Sequence, residues 1–160
     1  MISNWIYLLP VIPAGVLASE DFRRRRISLI WLVILGICTT TIGVLRDGVV
    51  IVALRIGGNM VLTVILFLCI AMWVGIRYRQ QIRYIFPRWF GGGDLLLMLV
   101  LTPFFAPASF MQLILASSLL ALIWWFLFRP RRRRTIPLAG FISLTLISIL
   151  LYQSCRLWHP

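Results

Sequence analysis

The sequence predicts an all-α fold: a multi-pass transmembrane helical bundle of about six helices with its N-terminus outside. Three observations predict it. The 160 residues are 61% hydrophobic and only 12% charged, with a mean hydropathy of +0.98, which lies outside the range of soluble globular domains. Several apolar stretches reach the roughly 20 residues needed to cross a hydrocarbon core of about 30 Å. The arginines fall in short runs between those stretches, where a cytoplasmic face would hold them. No soluble module fits between the apolar runs, so residues 1–160 read as one transmembrane domain.

Apolar runs and breakers place the helices at about Asn4 to Glu20, Ser28 to Leu45, Ile56 to Ile76, Asp94 to Phe105, Pro107 to Phe128 and Ile136 to Gln153. The first is expected to be a retained helix, since it lacks a basic segment ahead of its apolar run and carries four arginines after it. The fourth and fifth divide one apolar run, Leu95 to Phe128, that as a single helix would be about 51 Å long. Pro103 and Pro107 bracket a hairpin turn inside it. With the N-terminus outside, the inner loops 21–27, 77–93 and 129–135 hold 13 of the 16 arginines, and a five-helix division would destroy that asymmetry. The short fourth helix then spans incompletely, through local thinning or a buried turn. The mixed aromatic and basic segment Tyr78 to Phe90 suits the cytoplasmic headgroup layer.

The net charge of +12 comes from 16 arginines and no lysine against Glu20, Asp21, Asp47 and Asp94. Beside apolar segments such charge points to anionic membrane lipids as partners and not to nucleic acid. Cys38, Cys69 and Cys155 lie in apolar stretches without CxxC spacing, so they suggest small packing residues and neither a disulfide framework nor a metal site.

Elimination narrows the chemistry. Absence of lysine excludes a Ser/Lys dyad. The single histidine, His159, is penultimate, which leaves no Ser/His or Cys/His pair and no HExxH zinc site. Carboxylates remain. Asp21, at the inner end of helix one, and Asp94, opening helix four after Gly91, Gly92 and Gly93, both fall on the cytoplasmic face of the arginine-derived topology. Ionisable groups at a membrane boundary are costly and often functional, and two carboxylates brought close can share one proton. One then serves as base toward a water and the other as acid. Asp94 equally suits an N-cap of its own helix, Asp21 a residue neutralised by its arginines, and Glu20 rivals Asp21; Asp47 falls on the outer side. The glycines would admit a close backbone and permit strained torsions beside Asp94. Asn59, the most conspicuous polar group at mid-membrane depth, suits a helix–helix hydrogen bond and gives little support to a transporter.

The run Phe90-Gly91-Gly92-Gly93-Asp94 resembles the FGxGD motif of type IV prepilin peptidases, GxGD-type membrane aspartyl proteases. Asp21-Phe22-Arg23-Arg24-Arg25-Arg26-Ile27 resembles that family's other aspartate segment, and Ile136-Pro137-Leu138-Ala139-Gly140-Phe141 looks like the start of its last helix. The likeness covers nearly the whole chain in helix count and motif order, in the manner of the short, single-domain members of tight-adherence pilus systems. It implies a bacterial inner-membrane hydrolase with Asp21 and Asp94 catalytic and Gly91, Gly92 and Gly93 supporting the substrate. The implied reaction is removal of a short basic leader from a prepilin or pseudopilin at the cytoplasmic face, in a type IV pilus or protein secretion system. The cysteine loop of longer members is missing, so the resemblance implies no zinc and no other cofactor. The pattern departs at Ser28 and Leu29, where the family has Pro and Asn, and at Leu96, where it often has Lys. Those departures leave open a non-catalytic membrane scaffold or assembly subunit.

Overall fold

The computed structural model describes residues 4–78, 92–128 and 137–158. Among them are a 3-10 turn, Asn4–Leu8, and six α-helices: α1 Val11–Arg24, α2 Leu29–Asp47, α3 Val49–Tyr78, α4 Gly92–Leu101, α5 Pro107–Phe128 and α6 Leu138–Trp158. No described residue is in a strand, and the fold is the all-α bundle the apolar pattern requires. Four segments are long and apolar enough to cross a membrane: Leu29–Asp47, Val49–Arg77, Pro107–Leu127 and Leu138–Cys155. The remaining two helices are short, with 14 residues in α1 and 10 in α4, or about 21 and 15 Å. Large apolar side chains such as Leu54, Leu68 and Met72 are exposed, as lipid-facing surfaces require.

Several helix ends differ from their expected positions for identifiable reasons. The first helix starts at Val11 instead of Asn4, behind Pro10; proline has no N–H to continue a helix from the turn before it. It also runs past Glu20 to Arg24, closing on Arg25 in the left-handed region (φ 55°), whose N–H donates to the Asp21 carbonyl at 3.1 Å. Asp21 therefore sits on a helix, not in a loop. The third helix begins at Val49, seven residues before the expected Ile56, because Gly48 (φ 86°) alone turns the chain from α2 into α3. Asp47 accepts from both Arg46 at 2.7 Å and Arg55 at 2.6 Å, which neutralises charges that would otherwise oppose a helix there.

The turn after α4 is irregular backbone inside protein, with Thr102, Pro103, Phe104 and Phe105 all buried. The carbonyls of Thr102, Phe104 and Phe105 accept from neighbouring side chains, as backbone away from water must. Asn59 of α3 donates to the Thr102 and Phe105 carbonyls, both at 2.8 Å. The Thr39 hydroxyl lies 3.1 Å from the Val100 carbonyl. Gly43 admits the Pro103 carbonyl, which a Cβ would meet at 3.0 Å. The α4 helix thus packs mainly on α2, α5 on α6, and α1 on α6, around a core that includes Leu17, Leu35, Leu97, Phe104, Phe110 and Leu146. Contrary to a packing role for all three cysteines, Cys69 and Cys155 are exposed and only Cys38 is half-buried. The arginine-rich stretches 79–91 and 129–134, the interfacial segment through Phe90, and His159 lie outside the described residues.

Candidate active site

The start of α6 is the foundation of the site. The first N–H groups of any helix lack partners within it and are usually satisfied by a capping side chain just before the first turn. The residue before α6 is Pro137, which offers no side-chain acceptor. Two aspartates from elsewhere fill that role. Asp94 accepts from the Ala139 N–H at 2.8 Å, and Asp21 accepts from the Gly140 N–H at 2.7 Å. Consecutive amide nitrogens in a helix are about 2.8 Å apart, so the two accepting oxygens are separated by no more than about 8 Å.

Each aspartate is delivered by its own segment. Asp21 lies one turn before the end of α1 and is buried. Phe22, beside it, packs edge-on against Phe141 with ring centroids 5.2 Å apart, which holds the end of α1 on the start of α6. Gly140 makes the approach possible: a Cβ there would lie 3.2 Å from Asp21 Oδ2 and 3.0 Å from Phe22. Asp94 is the third residue of α4. It caps α6 and not its own helix, which corrects the simpler capping role read from sequence.

The glycines before Asp94 divide in function. A Cβ on Gly93 would fall 2.5 Å from Ile27 Cδ1, so this glycine lets the Asp21 and Asp94 segments touch. The approaching group is a side chain, where sequence suggested backbone. Gly92 has open space around it, and neither Gly92 nor Gly93 has a positive φ, so the expected strained torsions do not occur at these two. Gly91 lies outside the described residues. Glu20 accepts the Ser28 N–H at 3.0 Å, which commits it to the α1–α2 junction and away from α6. Asp47 sits at the other end of α2, about 28 Å along that helix.

Both aspartates lie outside the four spanning segments, and burial raises the pKa of each. For Asp21 the Gly140 N–H and the Arg25 charge oppose that rise. For Asp94 burial is reinforced by the negative charge of Asp21 and opposed by the Ala139 N–H, leaving it at about 6. The two carboxylates feel one another, and such a pair resists losing both protons. Among the described residues no three His, Cys, Asp or Glu side chains are grouped to hold a metal ion. What the pair can do is proton transfer, with one member ionised as base and one neutral as acid.

Sequence reasoning selected Asp21, Asp94 and the glycines but missed the groups that join them: the amides of Ala139 and Gly140, the missing Cβ of Gly140, and Ile27 against Gly93. The signal was an uncapped helix start, Pro137-Leu138-Ala139-Gly140. No family model, curated protein or solved structure matches the chain, so the likeness to prepilin peptidases rests on its motifs.

Proposed function

We propose that the chain is a membrane aspartyl endopeptidase that removes the short basic leader from a type IV prepilin or pseudopilin at the cytoplasmic face of a bacterial inner membrane. The observation that supports this most is the convergence of Asp21 and Asp94 on consecutive amides of α6. In the proposed reaction the ionised carboxylate takes a proton from water as its oxygen attacks the scissile carbonyl. The protonated one supports the developing oxyanion and then passes its proton to the leaving amine. The arginine distribution supports an inward-facing pair, and a basic leader would approach it from the cytoplasm. Co-expression with a candidate prepilin, followed by intact mass, tests this: the chain removes the leader, and Asp21→Asn and Asp94→Asn each abolish removal at unchanged abundance.

One observation favours a second reading, a scaffold or assembly subunit of the same system: both carboxylates already serve as helix caps. Leader removal, and not thermal stability, separates the two: on either reading the raised pKa of Asp94 means that its ionised form opposes folding, and a neutral amide oxygen still accepts from Ala139, so Asp94→Asn does not lower Tm. A scaffold predicts that the prepilin keeps its leader with the unmodified chain and with Asp94→Asn alike. The peptidase reading predicts removal by the unmodified chain and none by Asp94→Asn.

A further inference from the structure

The end of the bundle remote from the aspartates holds a cavity of about 510 Å³ that peptide hydrolysis does not use. It lies between the turn after α4, the first turns of α5 and the last turns of α6. Ala139 and Gln153 are 14 positions apart on α6, so the two sites are separated by about 21 Å along the bundle. The charged groups on its wall are Arg46 and Arg55. Both bind the single carboxylate of Asp47, through the same oxygen, which leaves one positive charge in excess. Arg46 is further fixed over the Phe104 ring, 5.5 Å from its centroid, and the Arg55 side chain is only 15% exposed. The guanidinium groups are therefore held in place before any ligand arrives.

The remaining wall has two characters. Ser109, Gln112 and Gln153 offer hydrogen-bonding groups, whereas Phe105, Leu113 and Ile149 are apolar. Ser109 and Gln153 lie two residues from the ends of spanning segments Pro107–Leu127 and Leu138–Cys155, near headgroup depth, whereas Leu113 and Ile149 lie six residues in, or about 9 Å, at the depth of the upper acyl carbons. A small water-soluble anion has no use for the apolar wall, and an acyl chain has none for the arginines. We propose that this cavity seats an anionic phospholipid, its phosphate on Arg46 and Arg55 and its glycerol and upper acyl carbons against the apolar wall between α5 and α6. Arginine suits a phosphate because its planar fork donates two parallel hydrogen bonds, and the volume is that of a ligand site. The inference does not depend on the peptidase reading.

The test is native mass spectrometry of the detergent-released full chain, titrated with phosphatidylglycerol or with phosphatidylcholine of the same acyl chains. One phosphatidylglycerol is retained per chain, about tenfold or more tighter than phosphatidylcholine, and inorganic phosphate at millimolar concentration does not displace it. Arg55→Gln weakens retention by about the same factor. Since that change also breaks the pair with Asp47, Ala116→Phe provides a second variant that fills the cavity and keeps every charge; it too loses the adduct at unchanged Tm. Equal retention of the two lipids, retention unaffected by Ala116→Phe, or displacement by phosphate alone overturns the proposal, the last by making this a site for free anions.

Discussion

Two carboxylates of one chain face a single helix start, and Asp94 feels the charge of Asp21. Burial raises both from the usual carboxylate range, and Asp94 reaches about 6. In the folded chain the pair therefore holds a proton at pH values where the unfolded chain has released it. The stability that Asp94 contributes consequently falls as pH rises from near 4 through about 6, and Asp21 adds a loss of the same sign. On the proposed peptidase reading leader cleavage needs one proton on the pair, and the reading predicts a decline as pH rises through the same range, with an apparent pKa that belongs to both residues. A pH–rate profile of the membrane-reconstituted protein checks this; a flat profile between pH 5 and 8 contradicts it. Gly140 gives a second prediction at this scale. A methyl there meets Asp21 Oδ2 at 3.2 Å and Phe22 at 3.0 Å, so Gly140→Ala displaces the carboxylate. Cleavage falls about 10- to 100-fold, against a loss of stability of about 1–3 kcal/mol. Asp21 and Asp94 were legible because so few reactive groups exist in the sequence. Gly140 was not, because nothing in one sequence reveals that another helix leans on it.

The helices owe their arrangement to polar groups placed where they are most costly to leave alone. The short α4 helix reaches only part of the way across; Thr39 binds the Val100 carbonyl near its end, and Asn59 binds the Thr102 and Phe105 carbonyls of the turn that follows. This turn fixes the far end of the helix that begins beside Asp94. Asn59→Leu leaves the Thr102 and Phe105 carbonyls buried without donors, which costs about 1–3 kcal/mol for each group and frees α4 to shift. Both Tm and cleavage should drop, although Asn59 touches neither aspartate; unchanged cleavage at lowered Tm shows that the turn does not position Asp94. Proline pairs and hydropathy made the break near Pro103 readable in advance. The true start of α3, at Val49 and not Ile56, was not readable, because the pairing of Arg55 with Asp47 inside it appears only in the structure.

At the scale of the whole molecule, the bundle has one end that gathers the aspartates with Arg23, Arg24, Arg25 and Arg26, and another that carries Asp47 and the single-residue turn at Gly48. The helix count and the apolar spans were written in the hydropathy pattern. The meeting of α1, α4 and α6 at one point was not, since apolar helices in lipid carry no pattern that names their neighbours. The positive-inside rule predicts that the aspartate end faces the cytoplasm. With Cys38, Cys69 and Cys155 replaced, a membrane-impermeant thiol reagent applied to intact cells should label Gly48→Cys and not Arg24→Cys; the opposite pattern inverts the topology and places the carboxylates away from any cytoplasmic leader.

The most direct measurement of a joint role for the carboxylates is the cleavage rate of a prepilin in liposomes holding the unmodified chain, each Asp→Asn variant, or both changes together. If Asp21 and Asp94 act as one unit, either substitution removes activity as fully as the pair, with no additive loss in the double variant. A single variant that still releases the leader at the unmodified rate would show that the two acids only cap α6.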